Sequence, residues 1–251
     1  MTNNSDRLKQ FLVIVATAGV IVFNWFAASG RLGGIDTGAV SDKYPTLITP
    51  AGYAFSIWGL IYLGLIAFSI YQAFPSNATR FRSVRTVYIL NCAANCAWLY
   101  FWHQEMMLIC TAIIFLMLGT LAFINVKLQT TDTLEEFWLA KFPFGLYFGW
   151  ITVATILNAA VALVSLNIQT TNSLAVILGA ILILAATVLG VTIRFKLVNV
   201  FYPLAIAWAL TAIAVKQSGQ TLIVAAAAVG VIVLLIAALS FLVNIKSSNN
   251  E

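Results

Sequence analysis

Three stretches of this chain carry aromatic and amide side chains at helical spacing. Asn91, Asn95, Trp98 and Trp102 recur at i, i+4, i+7 and i+11; Phe55, Trp58 and Tyr62 follow i, i+3, i+7; Trp150, Ala154 and Asn158 follow i, i+4, i+8. Such spacing puts each set on one face of a helix. Flat π-faces with a few amides can hold a flat apolar ligand by stacking and orient it by hydrogen bonding. No general acid or base accompanies them. Trp58, Trp150, Asn95, Trp98, Asn158, Phe55 and Tyr62 are therefore the candidate ligand-binding residues, with no catalytic residue and no metal ligand assigned.

The other reactive side-chain types form no comparable set. Cys92, Cys96 and Cys110 fall in apolar runs and make no disulfide framework; Cys92 and Cys96, at i, i+4 without a second ligand pair, read as small apolar fillers. His103 and Glu105 share a short polar turn that could handle a proton but reads first as solvated. The acidic residues Asp6, Asp36, Asp42, Glu105, Asp132, Glu135, Glu136 and Glu251 all lie in predicted loops or tails. Ion-coupled transport, which relies on ionisable groups inside the membrane, loses its usual machinery. Lys216 stands at a predicted helix end, unsuited to a retinal-type photoreceptor, and there is no phosphate-cradling Gly-Lys loop, metal cluster or Ser-His-Asp set.

The elements that must position these residues follow from composition. Of 251 residues, 62% are hydrophobic and 8% charged, with mean hydropathy +0.98, whereas a soluble domain carries about 25% charge. A soluble globular protein is excluded, and the natural solvent is a lipid bilayer. Net charge +5 with pI near 9.2 does not indicate nucleic acid, because the 13 Lys and Arg form no stripe.

Apolar runs long enough for a helix to cross a ~30 Å core occur at about 11–28, 53–74, 86–102, 106–125, 142–164, 174–193, 200–215 and 221–243. The prediction is an all-α polytopic bundle of about eight transmembrane helices. The first run follows Arg7 and Lys9 and ends near Ala27-Ala28-Ser29, an outline shared with signal peptides. Eighteen residues are enough to span, and an uncleaved first helix is the preferred reading.

With eight spans, one side collects Arg7, Lys9, Arg80, Arg82, Arg85, Lys127, Lys141, Arg194, Lys196 and Lys246, the other only Arg31, Lys43 and Lys216. The bias predicts cytoplasmic termini in a plasma (inner) membrane and an outward-facing loop at 30–52. Trp58, Trp98 and Asn158 then lie in the outer halves of their helices, beneath that loop. Trp25, Trp102, Trp138 and Trp208 are assigned first to interfacial belts. Trp150 is too deep for one, about eight residues or ~12 Å into its span. Gly145 and Gly149 form a GxxxG, a candidate close helix contact and homodimer face.

At these residues the sequence resembles the tryptophan-rich sensory protein, or translocator protein (TspO/MBR), family. Tyr147-Phe-Gly-Trp150-Ile-Thr-Val-Ala154-Thr155-Ile-Leu157-Asn158 is similar to the family's Pro-Tyr-x-x-Trp-x-x-x-Ala-Thr-x-Leu-Asn helix. Asn95-Cys-Ala-Trp98 followed by Phe101 resembles its third-helix motif, with Phe101 one position early, and Pro50, Phe55, Trp58 and Tyr62 resemble its second. The likeness covers about residues 9–166. It implies a five-helix core, residues 1–166, binding a tetrapyrrole such as protoporphyrin or haem beneath the first extracellular loop, with Trp58 and Trp150 as ligand-facing tryptophans and Asn95 and Trp98 in the third-helix motif. No cofactor is required.

The chain departs from the family in the lid loop, which has only Tyr44 where a Trp-Tyr pair is usual, and in lacking Lys or Arg from 142 to 193, where a sterol pattern would end. The family ordinarily stops after five helices, so residues 167–251 are expected to be a three-helix extension that packs on the core, forms an oligomer interface or adds a second cavity.

The expected function is a binding protein, sensor or carrier for a flat hydrophobic ligand. The alternatives are a permease-like or scaffolding subunit, or light-dependent porphyrin breakdown with the indoles as electron partners.

Overall fold

The computed structural model describes residues 4–168 and 171–240. In chain order the helices are α1 (Asn4–Ala28), α2 (Thr37–Asp42), α3 (Ile57–Tyr71), α4 (Arg82–His103), α5 (Met107–Lys127), the single turn α6 (Leu134–Glu136), α7 (Phe142–Ser165), α8 (Asn172–Lys196), α9 (Phe201–Lys216) and α10 (Thr221–Leu239). No strand occurs among the described residues. The end of the eighth predicted span at 241–243, Lys246 and Glu251 lie outside the described residues.

Among the described residues six helical stretches are long and apolar enough to cross a membrane: 4–28, 52–71, 107–127, 134–165, 172–196 and 221–239. The two other predicted spans are helices too, each with a physical reason for differing. Helix α4 carries Arg82, Arg85 and the amide stripe. Helix α9 has 16 residues, a rise of about 24 Å, and is buried between α7, α8 and α10 rather than facing lipid.

Helices α1, α4, α5, α7 and α3 close a ring, each packed on the next, and α9 lies on the outer side of α7 with α8 and α10 around it. In hydrocarbon, apolar surface gives little drive for helices to associate, so close packing and interhelical hydrogen bonds must supply it. Both are present. Thr17 of α1 shares its hydroxyl with Ser69 of α3 at 2.6 Å and Tyr88 of α4 at 2.7 Å. Asn91 donates to Thr120 of α5 at 2.8 Å. Asn125 of α5 donates to the Phe144 carbonyl of α7 at 3.0 Å and accepts from Asn199 at 3.0 Å. The glycines of the GxxxG are used within the chain: a side chain on Gly145 would overlap the Asn199 amide, and one on Gly149 the Tyr202 carbonyl. That face belongs to the α7–α9 contact, not to a dimer.

Two spans begin or end differently from expectation for a shared reason. Arg85, placed outside the third span by sequence, is fully buried within α4. Its guanidinium donates to Gln72 Oε1 at 2.7 Å and to the carbonyls of Ala78, Gln72 and Asn77 at 2.6, 3.1 and 3.2 Å. Arg194, likewise assigned to a loop, is buried in the last turn of α8 and donates to the Ala237 carbonyl of α10 at 3.1 Å. A guanidinium with several donors can satisfy the free carbonyls at helix ends, so these charges sit inside helices instead of stopping them. Asp6, expected in a tail, is buried in the first turn of α1 against Arg82, with bonds of 3.0 and 2.5 Å.

The second predicted span, 53–74, starts as a 3₁₀ turn at Gly52–Ser56 just after Pro50 and becomes α-helical only from Ile57. Phe55 is thus presented by the turn rather than by the helix.

Candidate functional site

A cavity of about 530 Å³ opens at the end of the ring beneath the segment joining α1 to α3, within the ~300–1,000 Å³ of small-molecule sites. All seven candidate residues line it: Phe55, Trp58 and Tyr62 from the turn and α3, Asn95 and Trp98 from α4, Trp150 and Asn158 from α7. Every lining residue falls between Ile21 and Asn158, so none comes from α8, α9 or α10. The hollow between α7, α8 and α9 is about 10 Å³, no larger than a water site. The last three helices pack on the core.

The walls are aromatic and interlocked. Trp58 stacks on Tyr62 with centroids 5.2 Å apart, and meets Tyr147 at 5.4 Å and Trp150 at 6.4 Å edge-on. Phe55 meets Trp150 edge-on at 5.9 Å. Across the cavity Trp98 and Trp102 stack at 4.9 Å. Trp102 therefore belongs to the cavity wall and not to an interfacial belt: it is 3% exposed, and its Nε1 donates to the Thr37 carbonyl of the lid at 3.1 Å. Among the other tryptophans given to belts, Trp25 also lines the cavity. Trp208 donates from Nε1 to the Ala54 carbonyl at 2.9 Å, and Trp138 is half exposed.

The amides hold the walls in place. Trp98 Nε1 donates to Asn158 Oδ1 at 2.8 Å, and Asn158 Nδ2 to Thr111 at 3.3 Å, tying α4, α7 and α5 together. Asn95 Nδ2 donates to Tyr147 at 3.0 Å while its Oδ1 accepts from Asn24 of α1 at 2.8 Å. Asn91, on the same stripe, does not reach the cavity. It lies further from the lid, where α5 closes against α4 and Thr120 takes its amide. Sequence reasoning missed Asn24, whose signal was an amide inside an apolar run, and missed Asp36, Ser41 and Pro50 of the lid.

The lid, residues 29–56, is tied at two points. Its short helix α2 is capped by Asp36, which accepts from the Ala39 amide at 2.9 Å. Lys43 and Tyr44 both reach Glu105 in the α4–α5 turn, at 2.5 and 2.6 Å. On the other side α9 grips it: the Ala51 amide donates to the Ala212 carbonyl at 3.0 Å, Gln217 to the Thr46 carbonyl at 3.2 Å, and Lys216 pairs with Asp42. The turn at 103–105 is solvated, as expected, and also serves as a latch. Glu105 turns the chain with φ of 57°, and His103 is 9% exposed, its Nε2 lying 3.4 Å from the Thr37 hydroxyl.

Lys43 and then Tyr44 hold the Glu105 carboxyl below its ordinary range, while donation to Glu105 pushes the Tyr44 hydroxyl up to about 12. A lowered folded-state value means that the latch stabilises at neutral pH, and that its contribution is lost as pH falls below about 4.5 and through that value. Glu105→Gln is expected to lower the melting temperature at pH 7 by the equivalent of at most ~1 kcal/mol, since the pair is solvated. The gap to wild type should close in acid. A gap that persists or widens below that range would show that the latch is not held by this carboxylate.

In comparison with known proteins, a family model described as TSPO-like protein matches residues 10–240. The match runs through all eight long helices and includes the segment beyond 166 that the sequence motifs left out. No curated protein and no solved structure matches the chain.

Proposed function

The chain belongs to the TSPO-like protein family, and from that premise we propose that this multi-pass integral membrane protein binds a flat hydrophobic ligand, a tetrapyrrole being the leading class. The observation that carries the reading is the pair of indoles, Trp58 on α3 and Trp150 on α7, set edge to face on one wall of a cavity of about 530 Å³. Opposite them Trp98 is fixed by Asn158, so a planar ligand would meet preset aromatic surfaces. A preset wall lowers the ordering cost of binding.

The basic residues support an orientation with the cavity facing outward and both termini cytoplasmic. Arg82 is tied to Asp6, Arg80 to the Lys127 carbonyl, and Lys141 and Lys196 meet at Gln129, all at the end opposite the lid. Arg31, Lys43 and Lys216 lie at the lid end. Among the described residues, nine of the ten basic residues of the one set and all three of the other fall at these two ends, which supports the orientation.

Titration of protoporphyrin, as free acid and as dimethyl ester, into the purified protein tests the reading through tryptophan fluorescence. Quenching is expected with at least one form. Trp58→Phe and Trp150→Phe should each weaken affinity roughly fivefold, the loss of an aromatic contact worth ~1 kcal/mol. Absence of quenching, or identical titrations in all three proteins, would remove the pocket and favour a scaffolding subunit whose aromatics only pack.

A further inference from the structure

The two ends of the cavity differ in polarity. At the end away from the lid the wall offers the uncharged Tyr62 hydroxyl, buried and without a hydrogen-bond partner among the described residues. At the other end the lid itself contributes Asp36, which is exposed, with Thr37 and Ser41. Ser41 is 2% exposed and its hydroxyl is likewise unpartnered. Asp36 is the one charged side chain among the described residues that line the cavity.

Two of the nearby cations are paired with other carboxylates, and the third, Arg31, rests on a tryptophan of the cavity wall. Lys43 pairs with Glu105 and Lys216 with Asp42, while the Arg31 guanidinium sits 4.7 Å over the Trp25 ring. An aromatic enclosure attracts positive charge through its ring faces, and a like charge set opposite Asp36 is disfavoured.

Resting on the ligand-binding reading above, we propose that the cavity selects its ligand by charge. Asp36 and the Ser41 hydroxyl receive a hydrogen-bond donor or a cationic group on the lid-facing edge of a neutral or cationic flat aromatic. A ligand that must bring a carboxylate under the lid is discriminated against. Asp36 is the residue that sets this specificity.

The test uses the full chain in detergent at neutral pH and compares protoporphyrin, with its propionate carboxylates, against its dimethyl ester, which keeps the macrocycle and loses the charge. Asp36→Asn keeps the α2 cap, because asparagine is as good at that position and can accept from the Ala39 amide as Asp36 does. In this variant the affinity for the free acid relative to the ester should rise about tenfold, ~1.4 kcal/mol. The acid-to-ester ratio is the readout, since partitioning into detergent is common to both proteins.

An unchanged ratio in Asp36→Asn overturns the proposal. So does a ratio that moves in Arg31→Gln and not in Asp36→Asn, which would give the selection to Arg31. Quenching by neither compound in wild type removes the underlying binding reading and the selection with it.

Discussion

Gly149→Val is expected to prise α9 away from α7 and to lower the unfolding temperature of the purified protein sharply. A β-carbon at 149 would overlap the backbone carbonyl oxygen of Tyr202 and would stand 2.9 Å from the Ala205 β-carbon. A backbone atom in the first turn of a helix cannot swing aside as a side chain can, so the helices themselves must separate. The cost should reach or exceed the ~1–3 kcal/mol of ordinary overpacking. It should spread, because the Thr152–Tyr202 hydroxyl contact of 2.8 Å and the Phe148–Tyr202 ring contact lie on the same seam.

Gly145→Ala gives a graded comparison, since it meets the Asn199 amide, a side chain. Gly119→Ala, with nothing within 4 Å, should be neutral or slightly stabilising. Thermal unfolding in detergent across the three variants checks the order. Equal midpoints for 149 and 119 would show that the seam is not close-packed. Because α9 also holds the lid at Ala51 and Ala54, Gly149→Val should weaken porphyrin binding although residue 149 does not line the cavity.

Arg85→Leu is the second large effect. The guanidinium is fully buried and answers four acceptors in the chain that leaves α3. Leucine would fill part of the space but leave the Ala78 and Asn77 carbonyls and the Gln72 side chain without this donor. Each abandoned buried acceptor costs about 1–3 kcal/mol, so the loss should approach or exceed 3 kcal/mol and folded yield should fall. Arg85→Lys, which keeps the charge but not the planar fork, should recover only part. If Arg85→Leu unfolds at the wild-type temperature, the guanidinium is not what holds this end of the bundle.

Much of the architecture is legible in the sequence because a bilayer demands apolar runs of set length. All eight runs appear as helices, and the boundary differences fall on particular residues. Arg85 and Arg194 look like loop residues by hydropathy, and only the structure brings their donors to the free carbonyls of neighbouring chain ends. The aromatic stripes were legible from spacing, and the seven residues picked out by it line one cavity.

Spacing could not separate Trp102 from an interfacial tryptophan, because either role suits an indole near a helix end. What decides it is the lid, whose Thr37 carbonyl meets the Trp102 ring nitrogen. Asn91 shows the converse: it shares the stripe in angle but not in depth. The lid's own contribution, Asp36 and Ser41, was hidden because nothing local in a polar loop indicates which residues fold back over a cavity.

The grip of α9 on the lid has a consequence for the order in which the molecule is made. The cavity walls are complete once residue 158 has been synthesised. Two of the roof's fastenings join residues 154 and 174 positions apart, Ala54 to Trp208 and Asp42 to Lys216. Chains emerge from the ribosome N-terminal end first, so a nascent protein holds a walled but half-roofed chamber until its penultimate helix arrives. A chain truncated after α7 would keep the chamber's walls and the Glu105 latch, and would lack the second fastening for good.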